Sequence, residues 1–379
     1  MAHRVTIAGS ALLLMLLPAL AQERFAVEGS DFAGVAEVKG QRLEVRGVKF
    51  ARNDKRGTPV TQGFSLQASG GLTSTLQAAG LTPRPGGGFE GSVAGVPVRL
   101  VPEAAPPSDL IVLVVPGLST NLWNQIGVEY LVENQSALTA RGYPNRRLAI
   151  NTEASVAENA AAIAREVRAE VAGGKRVLLL AHSKGGADTI TALSDPANAD
   201  LLPKVVGLIA IQPVYAGSPV ADLVGSNLLI EAAAKAAFEC LFPQVNASGT
   251  GSVSAVLDLQ SASRQALLER HPYPVQAIPT VTVRGHFQGR WKVTDPRRLK
   301  HRHPLCKPLV GLQVFLEKRR HVQSDGMVSL PNQAIPGARA DYVFEDLDHF
   351  EPGFRSESPH TPAAVTAKAL ELMLPHMKR

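Results

Sequence analysis

The 379-residue sequence predicts an α/β fold: a mostly parallel, doubly wound sheet with a cap insertion, preceded by a β-rich extension. Three observations lead there. Continuous apolar runs at 110–115, 177–180 and 205–211 suit strands buried on both faces. Helical stretches alternate with them, the order expected of a parallel sheet with helices on both sides. Two of the runs end in tight-turn residues, Pro116-Gly117 and Ala181-His182-Ser183-Lys184-Gly185-Gly186.

Residues 1–21 stand apart from the fold. His3 and Arg4 precede an apolar run at 7–17, and Ala19-Leu20-Ala21 offers a small-x-small cleavage site, the pattern of a secretory leader. The run is shorter than the roughly 20 apolar residues a spanning helix needs. Cleavage is expected near Ala21-Gln22, with export to a periplasm or the medium. The two cysteines, Cys240 and Cys306, leave a disulfide open, since such a compartment permits one and spacing alone does not assign it.

Residues 22–107 read as short strands and turns. One β-like stretch at 36–50 is broken by Gly40 and Gly47, and another covers 91–102 after a Pro/Gly-rich turn. This extension is either a small subdomain or extra strands on the main sheet. The main domain, 108–379, opens with the strand at 110–115. A helix over 128–141 and a short strand at 147–151 follow. The next helix, 156–171, is capped by Ser155 and stopped by Gly173-Gly174. After the strand at 177–180 and its helix, and the strand at 205–211, come strands at 280–284 and 341–347. A helix at 362–377 ends the chain.

Two insertions interrupt the alternation. Residues 214–276 leave from the C-terminal end of a strand, where an insertion overhangs the ligand crevice of an open α/β sheet. Within it, 227–238 has helical spacing, with Leu228 and Leu229 as candidate substrate-pocket residues. Trp123 is a further pocket-wall candidate. The second insertion, about 285–321, concentrates the chain's formal charge of +6, with Asp295 and Glu317 its only acids. It reads as a solvated basic loop or as a docking segment for an anionic membrane surface. No aromatic interleaving or binding motif points to nucleic acid. His301, His303 and Cys306 lack a fourth metal ligand, and no phosphate or dinucleotide loop is present. No cofactor or metal is expected.

The chemistry converges on Ser183. Small residues two before and two after it, between a strand and a helix, fit a nucleophile elbow in which Ala181 replaces the usual glycine. The turn sets Ser183 at a helix N-terminus, where free N–H groups favour a developing anion. Lys184 N–H and a donor from the loop after the first strand, Leu118 ahead of Gly117, are the oxyanion candidates. The base is expected after the last strand, at His349. The acid is expected between the two in sequence, at Asp325 of Ser324-Asp325-Gly326, with Asp346 and Asp348 as rivals. His182 is expected to pack beneath the elbow.

These pieces resemble the secreted bacterial triacylglycerol lipases of the α/β-hydrolase superfamily. The matching stretches are Val115-Pro116-Gly117-Leu118, the elbow, Gly217-Ser218-Pro219-Val220-Ala221-Asp222, Ser324-Asp325-Gly326 and Asp348-His349, in the family's order over 110–379. The resemblance implies an α/β-hydrolase fold, an ester or lipid substrate, and cleavage through an acyl-enzyme on Ser183, Asp325 and His349. The chain departs at Pro116, where such lipases carry His, and at Val214-Tyr215, where they often carry Pro-His. These departures leave the acyl-chain preference open. The same triad would also serve acyl transfer or polyester depolymerisation. From another class, a non-catalytic protein on this fold could dock an anionic surface through the basic segment.

Overall fold

A computed structural model describes residues 24–378, except 119, 121–129, 227–253, 287–321, 356–359 and the short stretches 30–31, 40–41, 51–58, 68–75, 78–79, 86 and 94–95. The leader, Trp123, Leu228, Leu229, the helix expected at 227–238, both cysteines and nearly all of the basic insertion lie outside the described residues.

The chain forms two sheets. The first is antiparallel and has seven strands: β1 (Arg24–Glu28), β2 (Phe32–Lys39), β3 (Arg42–Phe50), β4 (Pro59–Gln67), β5 (Leu81–Pro83), β6 (Phe89–Val93) and β7 (Val96–Pro102), in spatial order β4-β3-β2-β1-β7-β6-β5. The extension is thus a sheet of its own. Its Phe25, Val27, Leu43, Val45, Phe89 and Leu100 share one buried cluster. Gly47, expected to break a strand, lies inside β3 opposite Gly34 of β2. A Cβ on Gly47 would come within 2.6 Å of the Phe32 ring, so the residue gives that ring its space.

The second sheet is parallel throughout, in the order β13-β12-β11-β10-β8-β9. Its strands are β8 (Leu110–Val115), β9 (Asn145–Arg147), β10 (Arg176–His182), β11 (Val205–Ile211), β12 (Thr280–His286) and β13 (Ala340–Glu345). Every residue of β11 is buried, as is every residue of β8 except the half-buried Ile111. Side chains alternate between two clusters, one on each face of the sheet. The helices that cover them include α1 (Val132–Ala140), α2 (Val156–Ala172), α3 (Lys184–Ser194) and, at the end of the chain, α6 (Pro362–Met373).

Several boundaries differ from expectation for local reasons. The short strand pairs at 145–147, not 147–151, because Leu148 N–H makes its last bond to Val114 at 2.9 Å and its side chain then turns into the core. The last helix stops at Met373 because Pro375 has no N–H to continue it. Helix α1 begins at Val132, four residues beyond the expected start. The capping of α2 is as read: Ser155 Oγ accepts from Glu158 N–H at 3.2 Å, and Glu158 accepts from Ser155 N–H at 3.0 Å.

Beyond β11 the insertion supplies α4 (Pro219–Gly225) and α5 (Ser261–Arg270). Asp222 ties them, accepting from Ser261 N–H at 2.7 Å and from its hydroxyl at 2.8 Å. The two sheets are joined by charge. Arg141 pairs with Glu28 at 3.3 Å and with Glu103, and Arg355 donates to the Phe50 carbonyl at 3.1 Å while pairing with Glu133 at 2.8 Å.

Candidate active site

Strand order positions the site. Chain connections run from β8 outward to β9, then cross back to β10 on the other side of β8, so the order reverses between β8 and β10. The loops leaving such a pair diverge and open a crevice at the C-terminal edge of the sheet. Both turn motifs fall there.

Ser183 joins β10 to α3 with φ 58° and ψ −128°, a conformation a side-chain-bearing residue rarely adopts. The turn is held by Ser183 N–H to the Ile211 carbonyl at 3.1 Å and Gly186 N–H to the Ser183 carbonyl at 2.9 Å. Its tightness explains Gly185: a Cβ there would lie 2.5 Å from the Pro116 carbonyl oxygen and 2.7 Å from that of Val115. Ser183 is half-buried, whereas its neighbours Ala181, His182, Lys184 and Gly185 are buried. The fold thus exposes one hydroxyl in a closed surface.

Ser183 Oγ lies 2.7 Å from His349 Nε2, and His349 Nδ1 lies 2.8 Å from Asp325 Oδ2. His349 follows β13 through a short turn, and its N–H bonds the Asp325 carbonyl at 3.0 Å, so backbone as well as side chain joins base to acid. Asp325 is fully buried. Its Oδ1 accepts from Met327 N–H at 2.9 Å and Val328 N–H at 2.7 Å, and its Oδ2 accepts from Gln333 Nε2 at 3.2 Å. Four donors therefore fix the carboxylate. The rival Asp348 is committed elsewhere, accepting from Phe350 N–H at 2.8 Å and Glu351 N–H at 3.0 Å.

The oxyanion candidates sit on the two sides of the crevice. Lys184 opens α3, so its N–H has no intrahelical partner. In the opposite loop Gly117 N–H, the second candidate there, is already bonded to the Tyr130 hydroxyl at 3.1 Å. The loop is pinned further by Thr120, whose N–H meets Thr152 Oγ1 at 3.1 Å and whose hydroxyl donates to the Gly117 carbonyl at 3.1 Å.

Beneath the elbow the Lys184 side chain is fully buried, its Nζ 2.9 Å from both oxygens of Asp188. Asn159 donates to the same carboxylate at 3.0 Å. Burial pushes the Asp188 carboxyl up to about 6, against the pull of Lys184 and Arg264. Arg264, buried in α5, is brought down to about 10 by the same desolvation. His182 packs under the turn as expected. Its Nδ1 meets the Tyr130 hydroxyl, and burial, with His349 close by, holds its pKa well below the ordinary imidazole value.

Of the residues marked by chain order and turn chemistry, the structure brings Ser183, His349 and Asp325 into one hydrogen-bonded chain and sets Lys184 at the start of α3. Tyr130, Gln333 and Asp188 carry no such signal in the sequence, apart from the i,i+4 spacing of Asp188 from Lys184. Among the described residues no His, Cys, Asp and Glu cluster could hold a metal ion, and no helix is long and apolar enough to cross a membrane.

Compared with family models and with curated proteins, the sequence has no match. Among solved structures the chain is similar to the metagenomic carboxyl esterase MGS0156, with a TM-score of 0.54 at 18% identity over 78% of this chain and 83% of that one. It is also similar to the Bacillus licheniformis lipase BlEst2 in its propeptide form, with a TM-score of 0.50 at 20% identity over 78% of this chain and 55% of that one. At such identities the likeness is one of fold, and the shared fold is that of the α/β-hydrolases.

Proposed function

We propose that this protein hydrolyses carboxylic esters through an acyl-enzyme, with Ser183 as nucleophile, His349 as general base and Asp325 as the acid that orients it. The observation that carries this reading is the unbroken chain from Ser183 Oγ to His349 at 2.7 Å and on to Asp325 at 2.8 Å. It begins at a half-exposed hydroxyl on a strained turn. The names of the two similar structures, a carboxyl esterase and a lipase, point the same way.

In the first half-reaction Ser183 Oγ attacks the carbonyl carbon while its proton passes to His349 Nε2. Asp325 keeps the other ring proton on Nδ1 and stabilises the imidazolium without taking that proton. The carbonyl oxygen becomes an anion received by Lys184 N–H and Leu118 N–H, each worth about 10²–10³ in rate. Collapse breaks the carbon–oxygen bond to the alcohol, which leaves with the proton from His349. Water then repeats the sequence and releases the acid. The leader-like residues 1–21 support an exported protein acting on an ester or lipid outside the cytoplasm.

The test pairs turnover of p-nitrophenyl esters of increasing chain length with labelling by a fluorophosphonate. Wild type is expected to hydrolyse the esters and to label at Ser183. Ser183→Ala is expected to do neither, with turnover down by at least about 10⁴-fold. Equal turnover by both proteins would overturn the assignment.

A further inference from the structure

We infer that Tyr130 is a positioning residue that sets the oxyanion loop against the elbow through a hydroxyl shared by Gly117 and His182, an inference that rests on the ester-hydrolase reading. Tyr130 lies just before α1 and is 2% exposed. Its hydroxyl accepts from Gly117 N–H at 3.1 Å and is bonded to His182 Nδ1. Gly117 N–H fills one acceptor site of the hydroxyl and leaves its own proton free to donate to Nδ1, the arrangement in which a neutral His182 carries its proton on Nε2. Tyr130 therefore joins the residue before Leu118 to the residue before Ser183. Through that single oxygen, one side of the oxyanion hole is referenced to the other.

The ring is held in turn by the chain that follows the base. It stacks on Phe354 at 4.9 Å between centroids with the planes 26° apart, and Leu131 N–H bonds the Gly353 carbonyl at 2.9 Å. The Arg147 guanidinium donates to the Tyr130 carbonyl at 2.5 Å. The loop, the elbow and the segment after the base thus meet at one side chain. Oxyanion donors act only when they lie about 2.7–3.1 Å from the place the anion will occupy, so the relative placement of these loops is itself a catalytic variable. By capturing Gly117 N–H, the hydroxyl also fixes the peptide next to Leu118. A tyrosine present only to fill space would need the ring and not the oxygen.

Tyr130→Phe separates the two roles, because it keeps the stacked ring and removes the oxygen. For the wild-type and variant full chains, the experiment measures kcat and KM on p-nitrophenyl butyrate, the affinity of a boronic acid that mimics the tetrahedral intermediate, and Ser183 labelling by a fluorophosphonate. A loss of about 10–100-fold in kcat is expected, with KM within about twofold and boronate affinity weakened in parallel. Should Tyr130→Phe fail to fold, His182→Asn and His182→Leu carry the test. The Asn side-chain oxygen can stand where Nδ1 stands and accept from Tyr130, so Asn should retain most of the boronate affinity that Leu loses. Wild-type kcat and boronate affinity in Tyr130→Phe, or equal losses in the two His182 variants, would overturn the inference while leaving the hydrolase reading intact. An inactive, unlabelled wild type would instead overturn the hydrolase reading, and the inference with it.

Discussion

Replacing Gln333 by leucine tests whether Asp325, the proposed triad acid, depends on a fully buried side chain beside it. Gln333 is fully buried, and its amide acts as an added strand residue beside β12. Its Oε1 accepts from Gly285 N–H at 2.9 Å, and its Nε2 donates to the Gly285 carbonyl at 3.0 Å, the Val328 carbonyl at 3.1 Å and Asp325 Oδ2 at 3.2 Å. Leucine fills similar volume and makes none of these bonds. Two groups of Gly285 would be left buried and unpaired at roughly 1–3 kcal/mol each, so Gln333→Leu should lower stability by about 2–6 kcal/mol. Activity has a separate source of loss. Asp325 would keep both backbone donors and His349 but lose one of its four donors, on the oxygen that faces the imidazole. A hydrogen bond to a charged group contributes about 1.5–3 kcal/mol. If half of that acts on the transition state, kcat/KM falls about 4–13-fold. Urea unfolding and p-nitrophenyl ester kinetics on the purified variant read the two effects apart. A variant as stable as wild type, or one destabilised with kcat/KM unchanged, would refute the reasoning.

Two further outcomes follow from buried charge. His182 is held neutral in the folded chain, while an unfolded one titrates near 6.5. Its contribution is therefore full above pH 6.5 and lost as pH falls toward the depressed folded value, by about 1.4 kcal/mol per unit. Asp188, raised to about 6, acts with the opposite sign: its contribution is full below 3.8 and lost as pH rises through 6. His182→Asn removes only the first slope. In urea unfolding at pH 7, 6 and 5, its stability relative to wild type should rise by about 1 kcal/mol per unit of acidification, and parallel curves would count against this. Arg141→Met would take the guanidinium away from half-buried Glu28 and from buried Glu103, which would keep the Arg24 guanidinium at 3.7 Å. The expected loss is about 3–5 kcal/mol, partly recovered when both acids are also made Gln. Unchanged thermal unfolding would show that the sheets are held by other contacts.

How far the fold could be read from sequence follows from the range of the interactions that set it. The apolar runs of β8, β10 and β11 and the Ser155–Glu158 capping box are local patterns, and the structure keeps them. Ser183, Asp325 and His349 were found by a different signal, chain order around a turn with restrictive side chains, and the geometry brings all three together. The short strand before Leu148 was misplaced because apolar character marks where the chain enters the core, whereas pairing stops where the Val114 carbonyl is satisfied. Gly47 was misread because only the facing Phe32 and Gly34 explain it. Tyr130 reaches across 52 residues to His182, and Gln333 across 48 to Gly285. Contacts of that span leave no periodicity, so nothing in the sequence marks them.

The supporting residues also divide by chemistry, and the division follows from where protons must stay put. Around Asp325 the donors are two backbone amides and a glutamine, none of which titrates. At the loop that carries Gly117 the linking group is a phenol whose pKa burial raises, and which is bonded to an imidazole held neutral. The buried ion pair of Lys184 with Asp188 lies beneath the elbow, with the Arg264 guanidinium close enough to pull on the same carboxylate. On the proposed mechanism a mobile cation next to His349 would compete with the imidazolium formed as Ser183 gives up its proton, since like charges at such range oppose ionisation strongly in a low-dielectric site. Neutral partners avoid that cost and still fix geometry. The buried ion pairs can then anchor α3 from behind, holding the first turn that presents Lys184 N–H without placing a second cation against the base.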